Sequence, residues 1–205
     1  MLFLIKAICS ISFLELTPKQ VATLEKASRI IRTGGVIAYP TETVYGLGCD
    51  PNQNSAIEKL LLLKQRANDK GLIIIAASLE QFNDFIQPLA PEQQQKIQTE
   101  KKPTTWLVPA LPKISDLLCG THNTEIKKIA IRISSHPIIK ALCHILHHPI
   151  TSTSANLSGH PTCYNGEQIR QQFSDSLDYI IEDKINENAR PSQIIDLISG
   201  KIIRE

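Results

Sequence analysis

The sequence predicts one α/β domain built on a mixed, twisted sheet, and three observations carry that expectation. Helical and strand patterns intermingle along the chain instead of falling into separate blocks. The 205 residues suffice for one sizeable domain and are short for two. Apolar residues make up 42%, enough for a packed core, and no repeat, low-complexity tract or linker interrupts them. Residues 15–205 are read as this single domain and residues 1–14 as an N-terminal extension.

The extension is apolar with Lys6 in its middle. A signal peptide wants its charge ahead of the apolar run and a small-residue cleavage site after it. The run is also too short to span a bilayer, and nothing later resembles a membrane segment. Thr17-Pro18-Lys19-Gln20 then opens a helix, with Thr17 as cap, Pro18 in the first position and Gln20 closing a capping box. Val21, Leu24, Ala27, Ile30 and Ile31 recur at helical spacing, and Gly34-Gly35 stops them. Residues 36–39 are a short apolar strand, ended by Pro40.

A helix is expected over residues 54–64 and a fully apolar strand over 72–77. Ser78 with Gln81 opens a short helix, and Pro91 opens a very polar one to residue 99. Residues 104–108 form a strand, 109–124 a loop region, and 129–133 a strand around Arg132. His136-Pro137 starts a helix to about residue 147. Residues 149–151 form a short strand, and Asn165 caps a helix to about residue 173. Residues 179–181, 193–198 and 201–204 close the sheet, the last two joined by a Ser199-Gly200 turn.

Net charge is only +2, which by itself does not argue for nucleic acid, although Lys101-Lys102, Lys127-Lys128 and residues 64–70 concentrate cations. Five cysteines, an odd number with no CxxC pair, argue against a disulfide framework or structural zinc and for free thiols in a reducing cytoplasm. His144 and His148 stand four apart on one expected helix, without the intervening glutamate of HExxH. Partly buried or surface histidines explain them better than a metal. No acidic cluster suggests a metal cage. Phosphate-loop, dinucleotide-binding and nucleophile-elbow patterns are absent.

Three stretches carry chemistry. The first follows the strand at residues 36–39: Thr41, Thr43 and Tyr45 alternate, so an extended chain points three hydroxyls to one side. Gly46 and Gly48 then let the backbone bend and approach a ligand. Taken alone it is equally a polar turn after a core strand. The second is Lys64-x-Arg66-x-x-x-Lys70. On a continuous helix positions 64 and 66 diverge by about 200°, so they converge only if the helix ends near Lys64 and the chain turns through Asn68, Asp69 and Gly71. The motif suits a polyphosphate clamp, but taken alone it reads better as a solvated helix end whose cations favour the helix dipole. The third is Ser152-Thr153-Ser154-Ala155-Asn156-Leu157-Ser158-Gly159, four hydroxyls and an amide directly after a strand. A helix cap explains one of those hydroxyls and not four.

Together these stretches resemble the YrdC family of threonylcarbamoyl-AMP synthases. The pieces that match are Tyr39-Pro-Thr-Glu-Thr-Val-Tyr-Gly-Leu-Gly-Cys-Asp50, Lys64-x-Arg66, Pro103-x-Thr105, Ala130-x-Arg132, Ser152-Thr-Ser-Ala-Asn-Leu-Ser-Gly159 and Pro191-Ser192 with Asp196 and Arg204. They stand in the family's order over residues 17–205, and the ordered set is far more specific than any one piece. The resemblance implies a YrdC/RibB-like sheet with flanking helices around a basic concave cavity. It implies that L-threonine, bicarbonate and ATP are joined into threonylcarbamoyl-AMP, with pyrophosphate released. Partner proteins then use the product for the N6-threonylcarbamoyl modification at position 37 of ANN-reading tRNAs. Lys64, Arg66, Ser154 and Asn156 are implied at the catalytic centre. ATP falls to these four with Ser152, Thr105 and Arg204, and threonine to Thr41, Arg132 and Ser192. Mg²⁺ is expected to arrive with ATP and no metal to be held by the chain. RNA contact, including a double-stranded RNA-binding role, is the alternative reading. Two departures touch loops: Glu100-Lys101-Lys102-Pro103 stands where Trp-Pro-Gly-Pro is common, and Ala67 where proline commonly follows the arginine.

Overall fold

The computed structural model describes residues 16–66, 70–120, 126–183, 185 and 191–204. The expected N-terminal extension, and the turn residues Asn68 and Asp69, lie outside them. The first element is helix α1 (Pro18–Arg32), with the capping box in place: Gln20 N donates to Thr17 Oγ1 at 3.3 Å, and Thr17 N to Gln20 Oε1 at 2.9 Å. In order follow strands β1 (Ile37–Tyr39) and β2 (Gly46–Gly48), helix α2 (Asn54–Leu63), strand β3 (Ile73–Ala76), a 3₁₀ turn (Leu79–Phe82), helix α3 (Pro91–Thr99) and strand β4 (Thr104–Pro109). Helix α4 (Asp116–Cys119), strand β5 (Lys128–Ile133), helix α5 (Pro137–Leu146), strand β6 (Ile150–Ser154) and helix α6 (Gly166–Phe173) come next. A second 3₁₀ turn (Ser174–Ser176) and strands β7 (Tyr179–Ile180), β8 (Gln193–Asp196) and β9 (Ile202–Arg204) close the chain.

The described strands form one sheet in the order β7-β1-β2-β6-β3-β5-β4-β8-β9. Pairs β1/β7, β3/β5 and β4/β8 run parallel and the rest antiparallel. Strand pleating divides the residues between two faces. Val36, Ala38, Leu47, Ile74, Ala76, Trp106, Val108, Ile129 and Ile131 pack on one side with Ile57, Leu60 and Leu61 of α2 and Ile169 and Phe173 of α6. Ile37, Tyr39, Ile75 and Ile150 pack on the other with Leu24, Ala27 and Ile31 of α1 and Ile138, Ile139 and Leu142 of α5. Each fully buried Val, Leu, Ile or Phe among them contributes roughly 1.5–3 kcal/mol. On this second face Ile73 and Ile75 share a side, as do Ser152 and Ser154 with Ile150. Helices α1 and α5 therefore cover one part of the face, and the neighbouring part carries polar residues.

Three expectations change. Residues 46–48 are a strand and not a bend: Gly46 pairs with Tyr39 and Ser154, and Gly48 with Ile37. A Cβ on Gly48 would lie 2.2 Å from Thr151 O and 2.9 Å from a Tyr39 ring carbon, so the glycine serves strand packing. The strand expected over 149–151 runs on through residues 152–154, which belong to β6 and do not merely follow it. The segment read as loop over 109–124 contains α4, capped by Ser115 and ended by Gly120 at φ +72°. His147 ends α5 in the left-handed region at φ +66°. Among the described residues no group of three or more His, Cys, Asp or Glu could hold a metal ion, and no helix is long and apolar enough to cross a membrane.

Candidate active site

The turn after α2 sets the first part of the site. Gln65 sits at φ +50°, a left-handed position that costs a non-glycine residue roughly 1 kcal/mol. Gln65 N donates to Leu62 O and Arg66 N to Leu61 O, both at 3.0 Å. This closes a Schellman motif and sends Lys64 and Arg66 along separate paths. Lys64 is 2% exposed and reaches beneath β6, where Nζ donates to Ser154 O, to Asn156 O at 2.6 Å and to Asn156 Oδ1 at 3.4 Å. Burial, and then the Arg66 guanidinium, lower its pKa to about 8. Arg66 turns toward open space and donates to Gly71 O at 3.0 Å.

That space is a cavity of about 330 Å³ on the polar part of the second face. Its floor includes Ile73 of β3, Leu107 of β4, Ala130 and Arg132 of β5, and Ser152 and Ser154 of β6. Four cations line it: Arg66, Lys70, Arg132 and Arg204. No carboxylate does so among the described residues. A site of this charge favours anions, and its low-dielectric walls strengthen each contact.

Of the residues the sequence singled out, the cavity gathers Thr41, Arg66, Arg132, Ser152, Ser154, Ser192 and Arg204. The other three lie just behind its wall. Lys64 and Asn156 form a support with Ser154, whose hydroxyl donates to Asn156 Oδ1 at 2.6 Å. Asn156 Nδ2 in turn donates to Leu157 O and His160 O, both at 2.9 Å. Thr105 is fully buried, its hydroxyl 2.9 Å from that of Ser192. Thr41 is largely committed within its own loop. Its Oγ1 donates to Val44 O at 2.6 Å and accepts from Thr43 N and Val44 N. Tyr45 lines the cavity, but its hydroxyl donates to Asp183 O at 2.7 Å.

Arg132 is 6% exposed. Its Nη2 donates to Glu42 Oε2 at 2.8 Å, while its Nε is buried with no hydrogen-bond partner. Asp196, at the end of β8, is held by Lys128 and by the amides of Ile198 and Ser199. Arg204 donates through Nε and Nη2 to Ser192 O at 3.2 and 2.6 Å. Burial, and then Arg132, lower its pKa.

Lys70, Thr43, Leu118, Cys119 and Thr162 also line the cavity, none of them among the residues assigned to ATP or threonine from the sequence. Lys70 and Thr43 stood inside stretches already marked as chemical. Leu118 and Cys119 belong to α4, whose only signals were Ser115 before it, Asp116 at its first position and Gly120 after it. Burial pushes the Cys119 thiol up to about 11, so it is not a thiolate nucleophile at neutral pH.

The family model Sua5_yciO_yrdC, described as Telomere recombination, matches residues 29–205. The chain belongs to the Sua5/YciO/YrdC family. Within that family, a Vibrio vulnificus (strain YJ016) relative named threonylcarbamoyl-AMP synthase is 41% identical over 188 residues, covering 90% of this chain and 99% of the relative. Pyrococcus abyssi Sua5, solved in complex with L-threonine, is 28% identical with a TM-score of 0.77 over 84% of this chain. This chain spans half the length of that Sua5. Escherichia coli YciO is 26% identical with a TM-score of 0.76, covering 92% of this chain and 91% of its own. The Sua5/YciO/YrdC membership confirms the mixed sheet with flanking helices that the sequence predicted.

Proposed function

We propose that this Sua5/YciO/YrdC protein is an L-threonylcarbamoyladenylate synthase. It joins L-threonine, bicarbonate and ATP, releases pyrophosphate, and supplies the N6-threonylcarbamoyl modification at position 37 of ANN-reading tRNAs through partner proteins. The observation that carries the reading is the cavity: four cations, no lining carboxylate among the described residues, and hydroxyls on one strand at its floor. The name of its full-length Vibrio relative supports the same activity. The cations line a concavity of small-molecule size and not an open face, which favours this reading over a double-stranded RNA-binding role.

The residues divide the work by charge. Arg66 and Lys70 line the cavity and take the triphosphate, with Ser152 and Ser154 offering hydroxyl donors from β6. Lys64 and Asn156 hold that strand end from behind, so the donors stay aimed. Arg132, with its planar fork and a buried nitrogen lacking a partner, takes the threonine carboxylate. Thr41 and Ser192 stand beside it. The threonine amine combines with bicarbonate to give a carbamate and water. A carbamate oxygen attacks the α-phosphorus of ATP, the bond to the bridging oxygen breaks, and pyrophosphate leaves. The chain contributes alignment and fixed positive charge for the phosphates, and no protein nucleophile takes part. Mg²⁺ enters as part of the Mg·ATP substrate, since the described lining residues offer it no carboxylate. The reading extends to a cytoplasmic protein whose residues 15–205 form the catalytic domain and whose residues 1–14 are dispensable.

Pyrophosphate release from ATP tests the proposal. It is expected only when L-threonine and bicarbonate are both present. Equal release with either omitted, or AMP as the first adenylate product, overturns it.

A further inference from the structure

Glu42 lies outside the substrate cavity, yet it is tied to it through the ion pair with Arg132. Its side chain is 17% exposed and faces a second cavity, also of about 330 Å³, on the other side of Arg132. Arg132 lines both cavities and Glu42 only the second. The two oxygens of Glu42 have separate duties. Oε2 accepts from Arg132 Nη2 at 2.8 Å. Oε1 accepts from Ser134 Oγ at 2.6 Å, Ser135 N at 2.5 Å and His136 N at 3.0 Å, the amides that open α5. Burial pushes the carboxyl up, but Arg132, Ser134 and the backbone amides outweigh it, so it stays ionised below the usual carboxylate range.

We infer that Glu42 is a positioning residue for threonine recognition: it acts through Arg132, holding the guanidinium at the wall between the two cavities. The division of its oxygens is what makes this work. A carboxylate engaging Arg132 through both oxygens would neutralise it and block the fork. Here Oε1 is taken up by the start of α5, where the helix dipole offsets its charge. Among the described residues only one guanidinium nitrogen is engaged, and Nε keeps no partner. Arg132 thus remains a net cation for a ligand. Without Glu42 it would be a buried cation beside Arg204 with nothing opposing it, an arrangement that is costly and free to shift. Glu42 also sits between Thr41 and Thr43, so the same carboxylate ties the hydroxyl loop to β5 and α5.

The inference rests on the synthase reading, and the test separates the two. L-threonine is titrated calorimetrically into the full-length wild type, Glu42→Gln, Ser134→Ala, Arg132→Ala and the Glu42→Gln/Arg132→Ala double variant, and the KM for ATP is measured alongside. Glu42→Gln is expected to weaken threonine at least tenfold while the ATP KM stays within twofold. The double variant should bind threonine no worse than Arg132→Ala alone, because Glu42 has no route to the ligand except through Arg132. If Glu42→Gln does not fold, Ser134→Ala decides: a selective loss for threonine supports the inference and none overturns it. Unchanged threonine affinity in Glu42→Gln, equal losses for both ligands, or additive losses in the double variant overturn it. Failure of the wild type to bind threonine at all overturns the synthase reading and this inference with it.

Discussion

At the scale of single residues, Lys64 links charge, support and pH. Its ammonium holds Ser154 O and Asn156 O beneath the cavity, while burial and Arg66 bring its pKa down from the ordinary 10.5 to about 8. Two consequences have opposite signs. The folded chain loses this proton near pH 8 and the unfolded chain near 10.5, so the unfolded state binds more protons between those values. This group's contribution to stability therefore rises with pH across that window. Activity should do the reverse, because an uncharged amine grips the two carbonyls more weakly and offers no charge to the phosphates. A pH–rate profile of kcat/KM for ATP should show a basic limb near pH 8 in the wild type. In Lys64→Met the rate should be lower throughout and that limb should vanish. A limb that stays in place in Lys64→Met assigns the titration to another group.

At the scale of elements, β2 shows how close packing replaces side-chain content. It is Gly-Leu-Gly between β1 and β6, and only the absence of Cβ atoms lets Thr151 O and the Tyr39 ring lie against it. Gly48→Ala should destabilise by about 1–3 kcal/mol, the usual range for overpacking. In a chain of this size that corresponds to a loss of roughly 2–12 °C in melting temperature, read by thermal unfolding. An unchanged melting temperature would mean that the sheet yields easily there. Legibility in the sequence follows the same line between local and non-local causes. The capping box of α1, the Asn165 cap of α6 and the apolar run of β3 are written locally, and each stands where its residues indicate. Strand β2 is not written locally, because glycine has no strand preference and the pairing comes from residues 37–39 and 153–154. Helix α4 is a single turn, too short for any periodicity. The same holds for the site. Seven of the ten marked residues meet in the cavity, but nothing local tells that Lys64 passes under β6, that Thr105 lies beneath Ser192, or that Asp196 belongs to Lys128.

At the scale of the whole molecule, charge and sheet geometry act together. The chain carries +2 overall, while Arg66, Lys70, Arg132 and Arg204 converge on one concavity. Attraction for Mg·ATP is therefore local, and salt screens it over about 10 Å at 0.1 M ionic strength. Threonine, a zwitterion without net charge, feels far less of it. Raising potassium chloride from 50 to 500 mM, roughly a threefold shorter screening length, should raise the KM for ATP several-fold and leave that for threonine within twofold. Equal responses would place the recognition of ATP in uncharged contacts. The pleat that makes the cavity floor has one more consequence, and it concerns insertions and deletions. In β5, Ile129 and Ile131 face the core while Ala130 and Arg132 face the cavity. Removing one residue from such a strand exchanges its two sides. Arg132 would enter the apolar core, and an isoleucine would take its place in the cavity. No point substitution nearby could restore both faces at once. A change of length is thus tolerable only in the connections between strands, and spacing within β5 is as strict a requirement as the identity of Arg132 itself.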